Sequence, residues 1–361
     1  MKILHVESGM HLYGGALQVV FLMRELSAKG IQCFLACPQG SAIADAAAAY
    51  ASVHPMPMKG DADIGMVRRL RRLMMQVNPD VVHLHSRRGA DIWGGIAARS
   101  CSLPVVLSRR VDNPEARWVA SLKYRLYDRT VTISDGIRQV LLNEGVAADR
   151  IRCVPSAVDT SQYHPEDRDD AWFRREFALA PDELVVGMSA QLIPRKGHQL
   201  LLEALPEVLK VHPRLKVLMF GRGPEADRIQ SAIDASPLMR PHVCMTGFRT
   251  DLDRVLKHLD LLVHPAYMEG LGVSLLQAAA CGVPIVAARA GGMPEIVHPG
   301  VNGELITPGD VKGLSEAMNK VLGSQELRRR YGLAGRQLVA DRFSIEAMVC
   351  GNLAVYRELT G

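Results

Sequence analysis

The sequence predicts an α/β fold made of two Rossmann-like parallel-sheet domains facing across a cleft, and three observations carry that prediction. Short apolar runs alternate with helix-patterned stretches along the whole chain, the pattern of parallel sheets covered by helices. The alternation pauses once, over residues 155–182, a polar, proline-containing and charge-rich stretch that reads as a linker plus a short helix. The length, 361 residues, exceeds one ordinary domain.

In the first half the runs KILHV, CFLA, VVHL, PVVLS, TVTIS and IRCVP read as strands. Helical patterns such as ALQVVFLMRELSAKG lie between them, with Gly30 as a C-terminal stop. The second half restarts the rhythm with ELVVGMS, LKVLMFG, HVCMTG, DLLVHP, VPIVA and GELIT. The boundaries follow as residues 1–160 and 161–343, with the helical stretch 344–361 expected to rejoin the first domain.

Composition narrows the class. The chain is 48% hydrophobic and 22% charged, which supplies a large core and argues against disorder. Aromatics are only 5%, in keeping with buried aliphatic strands. The seven cysteines include no C-x-x-C pair and read as reduced thiols of a cytoplasmic protein. His5 and Glu7 interrupt the opening residues where a signal peptide needs an apolar stretch, and no run reaches the length of a membrane span. The net charge of +5 is uneven, because residues 1–160 hold 20 Lys+Arg against 14 Asp+Glu. An anionic partner for the first half is the implication, while no recognition motif or basic tail supports nucleic acid.

In parallel sheets ligands gather beyond the carboxyl ends of the strands, so the loops there carry the functional signal. Gly14-Gly15 opens the first helix, where a ligand or merely a tight turn would account for it equally. Gly221-Arg222-Gly223-Pro224-Glu225-Ala226 matches G-x-G-x-x-A. The next strand, HVCMTGF, ends without the acid that a nicotinamide reader needs, which counts against a dehydrogenase. Arg195-Lys196-Gly197 opens a helix, and two cations at a helix N-terminus suit a diphosphate. The sharpest segment is residues 264–297, HPAYMEGLGVSLLQAAACGVPIVAARAGGMPEIV. There Glu269 can accept from sugar hydroxyls, while Gly270 and Gly272 offer backbone N–H groups at a helix start.

Taken together, YGGALQ, PDVVHLHS, TISDGIRQVL, VPSAVD, RKG, FGRGPE, TGFRTDL and the 264–297 block resemble the family 4 glycosyltransferases of the GT-B fold, over nearly the whole chain. The resemblance implies a retaining cell-envelope enzyme. It would move a sugar from a nucleotide diphosphate sugar, a UDP-sugar in first place, to a hydroxyl of a lipid-linked or lipopolysaccharide-type glycan. It implies an acceptor-binding N-terminal domain and a nucleotide-sugar-binding C-terminal domain, with no cofactor and no metal. Glu269 would contact the donor sugar, and Arg195 and Lys196 the diphosphate. Gly270, Leu271 and Gly272 would donate backbone N–H groups to phosphate. Phe248 and Arg249 would frame the base, Gly221 and Gly223 would border the nucleotide, and Gly14 and Gly15 would face the phosphates from the other domain.

The chain departs from the family pattern at three places. The second glutamate of E-x7-E is Gln277, which would still hydrogen-bond a ribose. The usual G-R-L reads Ala190-Gln191-Leu192, one cation fewer. A histidine common after PVVLS is replaced by Arg109 and Arg110, which would make sugar or acceptor contacts. Arg87-Arg88 adds further charge. His83 and His85 share a strand face, but a metal would need a third ligand, so packing or acceptor contact is the favoured reading. Residues 64–77 form a basic amphipathic pattern that suits an anionic membrane surface or an outer helix with solvated arginines equally well. A phosphorylase, a sugar-nucleotide epimerase and a silent nucleotide-sugar binder remain as rival readings.

Overall fold

The computed structural model describes residues 1–86 and 89–361; Arg87 and Arg88 lie outside the described residues. The chain divides into two compact units, Met1–Ala157 with Ile345–Gly361, and Val158–Ser344.

The first unit is a seven-stranded parallel sheet of β1 (Lys2–Val6), β2 (Gln32–Pro38), β3 (Ser52–Met56), β4 (Val81–Leu84), β5 (Val105–Arg109), β6 (Arg129–Thr132) and β7 (Ile151–Cys153), in the order β3-β2-β1-β4-β5-β6-β7. Its central strands are apolar on both faces because helices cover both. On one face Ile3, Val81 and Val106 pack with helices Gly14–Ala28 and Ile345–Thr360. On the other, Leu4, Val82 and Leu107 pack with Gly65–Val77 and Ala90–Ser100. Each fully buried aliphatic side chain contributes about 1.5–3 kcal/mol. Gln18 pins the end of the unit, donating to Ala157 O at 2.8 Å and accepting from its N–H at 2.7 Å.

Strand β3 is absent from the sequence reading. It is an edge strand whose residues 52–56, SVHPM, are mostly half-exposed and include Pro55, so no apolar run marks it.

The second unit is a six-stranded parallel sheet of β8 (Leu184–Ser189), β9 (Leu215–Phe220), β10 (Val243–Gly247), β11 (Leu261–His264), β12 (Ile285–Ala288) and β13 (Gly303–Ile306), ordered β10-β9-β8-β11-β12-β13. The strand order reverses at β8 and β11, so the loops after these two strands diverge and leave a crevice. Those loops carry Arg195-Lys196-Gly197 and residues 265–272. The polar stretch 155–182 contributes the short helix Asp170–Glu176, capped by the Asp169 carboxylate. Among the described residues no helix is long and apolar enough to cross a membrane.

Candidate active site

Two loops meet over the switch point of the second sheet through their backbones. Gly197 has φ +77°, and a Cβ there would lie 2.2 Å from Pro265 O. Only glycine permits that approach. It brings the Tyr267 N–H to the Arg195 carbonyl at 2.8 Å. The residues after Gly197 form helix His198–Val211, whose first turn has no side-chain cap.

Glu269 sits at this junction. Its Oε2 accepts from Lys196 Nζ at 2.6 Å and from His264 Nε2 at 2.9 Å. Its Oε1 accepts from the Gly270 N–H at 3.1 Å. Burial alone would push this carboxyl up. The hydrogen bond from His264 and the nearby charges of His264 and Lys196 outweigh it and bring the pKa down to about 2. A carboxylate can only accept, so the His264 Nε2–H is the donor in this contact. The glutamate backbone is fixed from the other side. Gly291 has φ +53° and packs so closely that a Cβ would lie 1.6 Å from Glu269 O, and the Gly292 N–H donates to that oxygen at 3.2 Å.

The structure therefore brings Arg195, Lys196, Glu269, Gly270 and Gly272 into one place. Leu271 is buried beneath the loop, and Gly272, at φ +101°, starts helix Val273–Ala280. The Gly270 N–H is directed at Glu269. His198 was not singled out by sequence. It is 3% exposed, both ring nitrogens lack a hydrogen-bond partner, and burial first, then His264 and Lys196, push its pKa down to about 4. Gln277, on the next helix, donates from Nε2 to Tyr163 Oη at 2.9 Å, a partner 114 residues away.

Other residues expected at the nucleotide make contacts of their own within the second unit. Cβ atoms at Gly221 and Gly223 would lie 1.9 Å from Ala190 O and 2.4 Å from Leu192 O. These glycines dock the Ala190–Leu192 loop, so close backbone approach is reason enough for the G-x-G spacing. Arg249 forks onto both carboxylate oxygens of Asp251, at 2.8 and 2.6 Å, and reaches Glu176 at 2.7 Å. Its side chain is thus engaged, while Phe248 beside it is 54% exposed with Arg222 stacked 4.8 Å from the ring centroid.

The first unit has its own cavity, of about 350 Å³, at the carboxyl ends of β1, β4 and β5, lined by Glu7, Gly15, His85, Ser86 and Arg110 among others. Gly14 is the exposed first residue of its helix, and Gly15 packs against the Arg110 side chain. Glu7 accepts from the Gly9 N–H at 2.8 Å. Burial pushes its pKa up, opposed by Gly9, Arg110 and Ser86. Burial brings Arg110 down to about 10, with Glu7 opposing.

Arg109 lines the same cavity. It is 2% exposed and paired with Glu115 at 3.2 Å, and Glu115 also holds Lys123, which reaches Asp91 at 2.8 Å. Arg109 ends β5 inside this ion network and Arg110 follows the strand, and both arginines line the cavity. The third imidazole that His83 and His85 lacked in the sequence is His5, on the neighbouring strand.

The family model described as Glycosyltransferase Family 4 matches residues 13–162, and that described as Glycosyl transferases group 1 matches residues 169–338. A D-inositol 3-phosphate glycosyltransferase from Segniliparus rotundus is 33% identical over 60% of this chain and 49% of its own length. A GDP-mannose-dependent alpha-(1-6)-phosphatidylinositol monomannoside mannosyltransferase from Mycolicibacterium smegmatis is 32% identical over 53% of this chain and 52% of its own. The chain thus spans about half the length of these curated relatives. The structure of HepE from Anabaena, in complex with UDP-glucose, superposes over 99% of this chain and 100% of that one, with a TM-score of 0.86 at 20% identity.

Proposed function

This chain belongs to the GT-B glycosyltransferases, with a family 4 N-terminal half and a group 1 C-terminal half, and we propose that it moves a sugar from a nucleotide diphosphate sugar to an acceptor hydroxyl with retention of configuration. One observation carries the reading: Lys196, Glu269 and His264 converge within hydrogen-bond distance where two loops cross the switch point of the second sheet.

Catalysis on this reading is positioning and charge stabilisation. Arg195, Lys196 and the uncapped start of helix His198–Val211 receive the diphosphate, whose charge grows as the glycosidic bond breaks. Glu269 is already held ionised by two donors, so it suits accepting from sugar hydroxyls and holding the ring in place. Leu271 and Gly272 supply further backbone donors to phosphate, and Gln277 meets the ribose. Phe248 and the backbone at Arg249 border the base.

The donor we favour is a UDP-sugar. The Anabaena protein is complexed with UDP-glucose and the Mycolicibacterium enzyme is GDP-mannose-dependent, so UDP and GDP are the two bases to compare. The acceptor end is assigned to the first unit, where Arg110 and the start of helix Gly14–Ala28 favour an anionic group on a lipid-linked or lipopolysaccharide-type glycan. Helix Gly65–Val77 adds exposed Arg68, Arg71 and Arg72, suited to a peripheral position on the anionic inner face of the cell membrane.

Thermal-shift titration with UDP, GDP and ADP, then with their sugars, tests the donor. Native-state binding raises the melting temperature, by about 2.7 kcal/mol of added stability at a hundredfold excess over Kd. No shift with any nucleoside diphosphate overturns the proposal.

A further inference from the structure

Beside the cavity of the first unit lie three imidazoles from two adjacent strands. His5 on β1 and His83 on β4 are register partners, and His85 stands two residues beyond His83, its N–H continuing the ladder to Val6 O at 3.0 Å. All three side chains therefore leave the same face of the sheet. An H-x-H pair with a third histidine from the neighbouring strand is a compact triangle of ligands on a rigid backbone. One ring nitrogen of each lies within 4.8 Å of the other two.

The hydrogen bonding of the cluster is incomplete. His5 Nδ1 and His85 Nε2 are 2.9 Å apart, leaving His5 Nε2 and His85 Nδ1 buried without a partner. His83 has a hydroxyl on each nitrogen, Tyr356 Oη at 2.6 Å on Nδ1 and Ser108 Oγ at 2.9 Å on Nε2. Burial keeps the three rings neutral, with His5 pushed down to about 3 and the other two well below the ordinary value.

We propose that His5, His83 and His85 bind one tetrahedral transition-metal ion, Zn²⁺ in first place, in the N-terminal domain. Three imidazole nitrogens and one open position match zinc in softness and coordination number. Zn–N bonds of about 2.0–2.1 Å place the ligand atoms about 3.3 Å apart, so the His5–His85 contact opens by a few tenths of an ångström. Ser108, which lines the cavity and makes the longer of the two bonds to His83, gives way to the ion. Tyr356 stays on Nδ1 as the outer partner that fixes the ring. Because Tyr356 belongs to helix Ile345–Thr360, the ion would tie that returning helix to β1 and β4. His85 lines the cavity and gives the ion its route in. The site stands independently of the transfer reaction proposed above.

The test uses untagged full-length protein, stripped with chelator and titrated with Zn²⁺ and, separately, Co²⁺. Expected are one ion per chain, a rise in melting temperature, and the visible absorption of four-coordinate cobalt. His85→Gln is expected to abolish one-to-one uptake, and Tyr356→Phe to weaken it by about 10–100-fold. Failure of one-to-one uptake, a six-coordinate cobalt spectrum, or His85→Gln binding as well as wild type each overturns the proposal. Should His85→Gln fail to fold, stoichiometry and cobalt spectrum of the wild type decide the matter.

Discussion

Lys196 Nζ lies 2.6 Å from Glu269 Oε2, so the ammonium assigned to the donor's diphosphate is held by the carboxylate assigned to the donor's sugar. Lysine has three donors on one nitrogen and can keep Glu269 while turning another proton to phosphate. Replacing Lys196 by alanine removes a charge-assisted contact worth about 1.5–3 kcal/mol. Affinity for UDP should fall by roughly 10–150-fold, while affinity for uridine changes little. Calorimetric titration of both ligands checks this, and equal losses would remove Lys196 from the diphosphate site.

Glu269→Gln separates binding from transfer. The amide keeps the shape but releases Lys196 from its ion pair, so nucleoside diphosphate binding should hold or tighten while transfer is lost. The same variant reports on pH. The carboxyl titrates at about 2 in the folded chain, below its ordinary 4.5. Its stabilisation is therefore complete above the ordinary value and drains away as pH falls from about 4.5 towards about 2. At neutral pH the contribution is on the order of 3 kcal/mol. Urea unfolding of both proteins from about pH 7 down to about pH 3 should show a gap that is widest at neutral pH and narrows by about 2 kcal/mol on acidification. A gap that does not depend on pH would mean that the carboxylate is not held ionised by its neighbours.

Arg109 and Arg110 are neighbours that line one cavity, Arg109 paired with Glu115 and Arg110 beside Glu7. Arg109→Ala leaves Glu115 short of a partner in a buried network and should cost about 3–5 kcal/mol of stability. Arg110→Ala leaves the buried Glu7 without its neighbouring cation, so it should also melt below wild type, and in addition raise KM for an anionic acceptor. Melting curves and acceptor kinetics of the two variants, run side by side, check the assignment. A KM effect in Arg109→Ala alone would place Arg109 at the acceptor.

This pair also shows how far the sequence could be read. Strand rhythm sufficed for every strand but β3, and the 264–297 block drew attention to Glu269, because motif spacing and hydrophobic period are local properties. That Arg109 sits in a buried ion network depends on the fold, which brings Asp91 and Lys123 to Glu115 beside it. His5 and His83 are 78 residues apart, and Gln277 and Tyr163 are 114 apart, so no local pattern announces either pair. Gly221 and Gly223 fit a nucleotide fingerprint and a tight loop contact equally well until Ala190 and Leu192 are seen against them. Strand β3 escaped because an edge needs no continuous apolar run.

Gly291 and Gly300 distinguish strain from site geometry. Both have positive φ, +53° and +76°, so an alanine at either costs about 1–2 kcal/mol of backbone strain. A Cβ at Gly300 meets nothing within 4 Å, whereas at Gly291 it would lie 1.6 Å from Glu269 O. Gly291→Ala must therefore push the glutamate backbone aside, and the carboxylate loses its alignment with Lys196 and His264. Both variants should melt lower than wild type, Gly291→Ala more so. Only Gly291→Ala should lose kcat, since a misplacement near 1 Å in a reacting constellation can cost about a hundredfold. Equal turnover in the two variants, after correction for the folded fraction, would show that transfer does not depend on where Glu269 is held.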